Sequence, residues 1–214
     1  MRAPALPAWV DSLVRGFALG TLTSALAIPA ALMAWVRSPL ARGVGEPAEQ
    51  PIQFDHRHHV GDDGIDCLYC HVDATRSPYA GVPSTELCMG CHSQILTQSP
   101  LLAPIRASAA QGTPIRWRRV DEIGDFAFFD HSAHVTRNVG CETCHGRVDR
   151  MAVVYRAVPF TMGFCLDCHR DPDPHLRDQS LITTFGLPLD RTRGRRIHEE
   201  RDIHAPTHCS GCHR

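Results

Sequence analysis

All ten cysteines of this chain fall into five pairs of one kind, each spaced by two residues and followed at once by histidine. The motifs are Cys67-Cys70-His71, Cys88-Cys91-His92, Cys141-Cys144-His145, Cys165-Cys168-His169 and Cys209-Cys212-His213. C-x-x-C-H is the attachment signature of c-type haem. Two thiols fix the macrocycle covalently, and the histidine is held under the iron as its proximal ligand. Zinc sites also use paired cysteines, but they do not require a histidine directly after every pair. With no cysteine left over, the cofactor reading is five covalently bound haem c.

That count constrains the fold. The haem-bearing part, residues 51–214, offers roughly 33 residues per haem and little sustained helical or alternating periodicity. The chain's sixteen prolines and sixteen glycines interrupt it further. So sparse a polypeptide cannot bury a normal apolar core. The expectation is a mostly irregular multi-haem cytochrome c, with short α-helices wrapped around macrocycles that form the core.

The haem region is internally duplicated. Phe54-Asp55-His56-Arg57-His58-His59-Val60 matches Phe129-Asp130-His131-Ser132-Ala133-His134-Val135. Each copy precedes one haem motif, and a second motif follows 21 or 24 residues after the first. The approach to that second motif also repeats, as Val82-Pro83-Ser84-Thr85 and Val158-Pro159-Phe160-Thr161. This gives two di-haem units, 54–92 and 129–169, with a fifth haem at 209–213. Residues 93–128 contain no cysteine and read either as a partner-docking surface or as a connecting loop.

Before the haem region, Gly16 to Val36 carry no charge over 21 positions, enough for a helix to span a bilayer. Cleaved signal peptides have a shorter apolar region. Residues 1–37 are therefore expected as a transmembrane anchor, although Ala25-Leu26-Ala27 resembles a cleavage site and keeps removal open. Trp9 and Trp35 sit near the two ends, as interfacial aromatics do. Gly16, Gly20 and Ser24 share one helix face that suits close helix packing or simply reflects the small residues common in such helices. Arg2 and Arg15 before the span balance Arg37 and Arg42 after it, so charge gives no orientation. Haem attachment occurs on the exported side, which places the haem region in the periplasm, outside the inner (cytoplasmic) membrane. Residues 38–50 read as a linker.

Nine histidines lie outside the motifs, enough to give every iron a second imidazole. An iron with two histidines has no open position, so it transfers electrons and binds no substrate. His56, His59, His131 and His134 are the best distal candidates: three-residue spacing puts each pair on one face of a helical turn. His175, His204 and His208 compete for the fifth place. Met162 is an alternative that would raise that haem's potential. His58, which aligns with Ala133, and His198, inside the charged run 193–201, are expected at the surface. No catalytic residue is expected. The formal charge of −1, with arginine and no lysine, carries no basic excess and argues against nucleic acid.

The chain resembles the penta-haem, membrane-anchored cytochrome c subunit of alternative complex III, a quinol-oxidising respiratory complex. The resemblance covers nearly the whole chain. It rests on Pro114-Ile115-Arg116-Trp117, Phe129 to Val135, Cys141-Glu142-Thr143-Cys144-His145-Gly146, Met162-Gly163-Phe164 running into Cys165 to Arg170, and Cys209 to Arg214. F-x-H-x-x-H before a haem motif also looks like the class III pattern. That pattern implies that His56 serves the haem of His71 and His131 the haem of His145, with His59 and His134 serving other haems. The resemblance further implies partners. These are an iron–sulfur subunit, polytopic quinol-binding membrane subunits, and a mono-haem cytochrome, soluble carrier or oxidase as acceptor. A stand-alone anchored quinol dehydrogenase and a relay in a quinone-reducing complex are the alternative readings.

Overall fold

The computed structural model describes residues 7–213, so Arg2 and Arg214 lie outside the described residues. The chain divides into two compact units, one ending at Gly43 and one beginning at Val44.

The first unit is built on helix α1, Ala8–Arg37. It is one continuous apolar helix, with Pro29 inside it and Trp9 and Trp35 exposed near its ends. Its apolar length exceeds what a bilayer core requires, and its apolar side chains face outward within this chain. A 3₁₀ turn, Leu40–Arg42, follows.

The second unit contains only short helices: α2 (Cys67–Cys70), α3 (Thr85–His92), α4 (Ala103–Gln111), α5 (His131–Val135), α6 (Glu142–His145), α7 (Met162–Arg170) and α8 (Arg191–Glu200). No strand is formed among the described residues, only isolated bridges. The helices are short because local caps start them and little else propagates them. Asp66, Asp130, Thr161 and Asp190 each accept a backbone N–H of the first turn of α2, α5, α7 and α8. The helices α2, α3, α6 and α7 each end on or beside a motif histidine. At the first repeat the corresponding turn, Arg57–Asp62, is a wider π-type turn, a form often found at functional sites.

The buried apolar core of the described residues is small: Ile52, Ala74, Ile105, Val135, Met151, Leu176, Ile182, Ile197 and Ile203. Nine side chains are far too few for a domain of this length. They form patches rather than one centre. Ala74, Val135 and Ile182 make one, joined by Leu68 and Ala80; Leu176, Ile197 and Ile203 make another, joined by Val139.

Two segments differ from their expected independence. Residues 44–50 do not run free: Gly45 and Ala48 donate to the carbonyls of Arg156 and Val154. The insertion 93–128 is built into the unit. There α4 packs on α3 through the buried Thr85–Ser108 hydroxyl pair at 2.7 Å, and Gln50 exchanges two hydrogen bonds with the Arg118 backbone.

Helix α8 shows why a charged run can be structural. It docks on the turn Asp173–His175, and Asp173 is 2% exposed at its side chain. His198 donates through Nδ1 to Asp173 at 2.6 Å, and Arg195 adds a second bond. His198 is thus only 34% exposed and partnered, not the free surface residue its charged surroundings suggest. Burial alone would raise the Asp173 carboxyl, but the bonds from His198 and Arg195 outweigh it and hold it below the ordinary carboxylate range. A depressed carboxyl stabilises the fold above its unfolded pKa of about 4 and loses that contribution as pH falls below it. Thermal midpoints should therefore drop on acidification through this range, and Asp173→Asn should flatten part of the drop. An unchanged acid slope in that variant would refute the assignment.

Candidate haem sites

No cysteine is paired in a disulfide; Cys91 and Cys209 are exposed and the other eight are partly buried. Burial, followed by the neighbouring thiols Cys168 and Cys165, pushes Cys144 up to about 12.

The geometry of the histidines is more specific. His131 and His145 have ring centres 6.2 Å apart and planes 3° apart. His59 faces His92 at 6.2 Å, and His134 faces His169 at 6.0 Å. Two imidazoles on opposite sides of one metal, each bound at about 2 Å through a nitrogen roughly 1 Å from its ring centre, have centres about 6 Å apart. His56 lies close enough to His71 for their charges to interact, and burial first, then His71, lowers its pKa to about 4. The half-buried His56 is therefore neutral at physiological pH, the form that ligates metal.

The ring nitrogens are also assigned. His71, His169 and His213 donate through Nδ1 to the carbonyls of Gly81, Pro206 and Phe126 at 2.8, 2.7 and 2.9 Å. His59, His131 and His134 donate to Asp55, Pro78 and Asp130 at 2.9, 2.8 and 2.7 Å. His145 bonds the Asp121 carboxylate at 2.8 Å. Such bonds fix the tautomer and leave Nε2 as the lone pair facing a metal. The side-chain Nδ1 atoms of His56 and His92 are buried without a protein partner. These residues fit a haem iron with two axial imidazoles.

The repeated aromatic sets the turn. Phe54 stacks on His59 at 4.3 Å and meets His56 edge-on at 4.7 Å; Phe129 does the same to His134 at 4.6 Å and His131 at 4.7 Å. One phenylalanine therefore braces two imidazoles aimed at different motifs.

The remaining candidates are not brought against a motif histidine by any ring contact. His204 is 83% exposed and its Nε2 faces Asp202 at 3.0 Å. His175 is half-buried in the turn Asp173–His175, and burial lowers its pKa. His208 is exposed ahead of the turn Cys209–Gly211, and Met162 is 67% exposed at the start of α7. His58 is exposed beside Asp62 and Asp63.

Sequence reasoning missed Asp121 altogether. It lies in the insertion 93–128, as does Phe126, whose carbonyl holds His213. Burial works against the charge of His145, but the Asp121 hydrogen bond outweighs it and raises the pKa. Spacing gives no signal for such a partner, because a single carboxylate in an irregular segment has no pattern.

A helical unit without strands among the described residues, one N-terminal apolar helix and repeated C-x-x-C-H motifs give the fold class of a multihaem cytochrome c. No protein-family model matches the chain. A stretch of 98 residues is 39% identical to the multihaem cytochrome c subunit of menaquinone reductase from Nitratidesulfovibrio vulgaris, strain Hildenborough. The match covers 45% of this chain and 46% of that protein, so the chain spans about half the length of the curated relative.

Proposed function

We propose that this chain is the five-haem electron-relay subunit of a quinone-linked membrane complex. The observation that carries this reading is the set of facing histidine pairs, 6.0–6.2 Å apart, each joining a motif histidine to one outside the motifs. Each bound haem supplies a reversible one-electron couple. The thiols of each motif anchor it, and the motif histidine is the proximal ligand. His56, His59, His131 and His134 would hold four of the haems as their second histidines. His175, His204, His208 and Met162 are the candidates for the fifth. With two histidines holding each of these haems, the chain would keep substrate off the irons and serve electron transfer only.

Helix α1 anchors the chain in the cytoplasmic membrane, with the haem domain on the periplasmic side. The partners are an iron–sulfur subunit and polytopic quinone-binding subunits. The motif resemblance favours quinol oxidation, as in alternative complex III, with delivery to a cytochrome, carrier or oxidase. The name of the relative favours the reverse direction, quinone reduction. Intact-mass measurement should show five haem additions on the 23.7-kDa chain. Gentle solubilisation and a haem-stained native gel should show it co-migrating with iron–sulfur and polytopic subunits. A band holding this chain alone, reducible by added quinol, would make it a dehydrogenase in its own right. In the intact complex, haem reduction by added quinol supports the oxidising direction, and haem oxidation by added quinone the reducing one.

A further inference from the structure

The five motifs are spaced along the chain, but their order in space is set by contacts between them. We propose that the attachment sites form one unbranched row in the order second, first, third, fourth, fifth, with its ends at Cys88/Cys91 and Cys209/Cys212. The inference rests on the reading that all five motifs carry haem.

Each link has its own contacts. First and second motifs share one turn, since His56 lies by His71 while His59 faces His92, both braced by Phe54. Third and fourth motifs share the equivalent turn, through His131 to His145 and His134 to His169. Fourth and fifth are joined where His169 bonds the Pro206 carbonyl, and Pro206 lies against Gly211 inside the fifth motif.

The decisive link is between first and third. Leu68, inside the first motif, packs in the patch of Ala74, Val135 and Ile182, and the Ile182 carbonyl accepts the Cys141 N–H. Thr183 bonds Asp66, the cap of α2, at 2.6 Å. His131 Nδ1 bonds Pro78, seven residues beyond His71. The side chains of Cys67 and Cys141 adjoin each other.

The reason is symmetry. Cys67 and Cys141 are the same position in the two repeats, and a residue meets its own equivalent only near a two-fold axis. The backbone agrees. Arg57 N–H donates to the Met151 carbonyl at 3.2 Å, and Ser132 N–H donates to the Ser77 carbonyl at 3.2 Å. These are equivalent bonds in opposite directions. Likewise the turn Arg57–Asp62 packs on Val148–Arg150, while α5 packs on Val72–Thr75. The repeats therefore exchange turns about an approximate dyad, which puts the first and third motifs at the centre and the second and fourth outside them. The fifth extends one side only. The most exposed thiols, Cys91 and Cys209, belong to the two end motifs. Along such a row, haems held at these sites would exchange one electron at a time between neighbours, one oxidised as the next is reduced, with no atom transferred.

The test uses the full haem-loaded chain, whose ten native thiols are consumed by attachment. Gln94→Cys places a ruthenium polypyridyl photoreductant, supplied with a sacrificial amine donor, beside the second motif. In a Cys67→Ala/Cys70→Ala background, repeated flashes should promptly reduce one haem of the remaining four, a quarter of the α-band change. A row in chain order would reduce all four. From the other end, Asp125→Cys carries the label beside the fifth motif in a Cys88→Ala/Cys91→Ala background. All four remaining haems should then be reduced, against three for chain order. Haem occupancy by mass comes first. A parent with other than five haems sinks the haem reading. Correct occupancy with four reduced in the first variant, or three in the second, overturns the order. If one variant fails to load four haems, the other decides.

Discussion

His131→Ala should open one iron. His131 faces His145 with parallel rings and is oriented by the Pro78 carbonyl. One ferric haem in the chain should change from low to high spin by electron paramagnetic resonance. The reduced protein should bind one more carbon monoxide than the parent, and added imidazole should restore the low-spin signal. Its relatives should follow the same rule, with His134→Ala opening the iron of His169. His204→Ala should change neither spectrum, because its ring is solvated beside Asp202. An unaltered spin state in fully loaded His131→Ala would remove this histidine from the ligand set.

Gly194→Ala should produce the largest loss of stability of any single methyl addition in the haem domain. A side chain there would overlap the carbonyl of Asp173, a backbone atom that cannot rotate away. Helix α8 would have to lift from the turn it covers. That motion would break the Asp173 bonds to His198 and Arg195 and expose Ile197 and Leu176. Overpacking against backbone together with a broken buried network is expected to cost at least ~3 kcal/mol. Thermal unfolding of the haem-loaded protein checks this, with Thr192→Ala, on the same helix, as a control expected within ~0.5 kcal/mol of the parent. Equal midpoints for both variants would show that α8 is not clamped in solution.

What could be read from the sequence was local chemistry. C-x-x-C-H needs its three side chains within one turn, so its spacing survives any fold, and α2, α3, α6 and α7 are little more than that turn. The duplicated F-x-H-x-x-H was equally legible, because bracing two imidazoles with one aromatic demands fixed spacing. The short-helix, strand-poor architecture followed from how little chain there is between motifs. The supports were not legible. Gly81, Pro78, Pro206 and Phe126 act through backbone carbonyls, and a carbonyl leaves no trace in residue type. Asp121 acts through its side chain but from an irregular segment. His198 was misplaced because Arg191 to Glu200 is almost wholly polar. Its docking depends on Gly194 and Ile197, two residues too few to give a visible apolar stripe.

The exchange of turns between the repeats has a consequence for biogenesis. Arg57 finds its backbone partner at Met151, and Ser77 finds its partner at Ser132. These bonds run between the repeats, so each turn is held only once the other repeat is in place. Long-range pairing of this kind forms late, because the loop between partners must close first. On the proposed reading, in which haem is attached after export, the first motifs would then stay open to haem attachment until the second repeat arrives. Maturation and folding are then ordered in time by the fold itself.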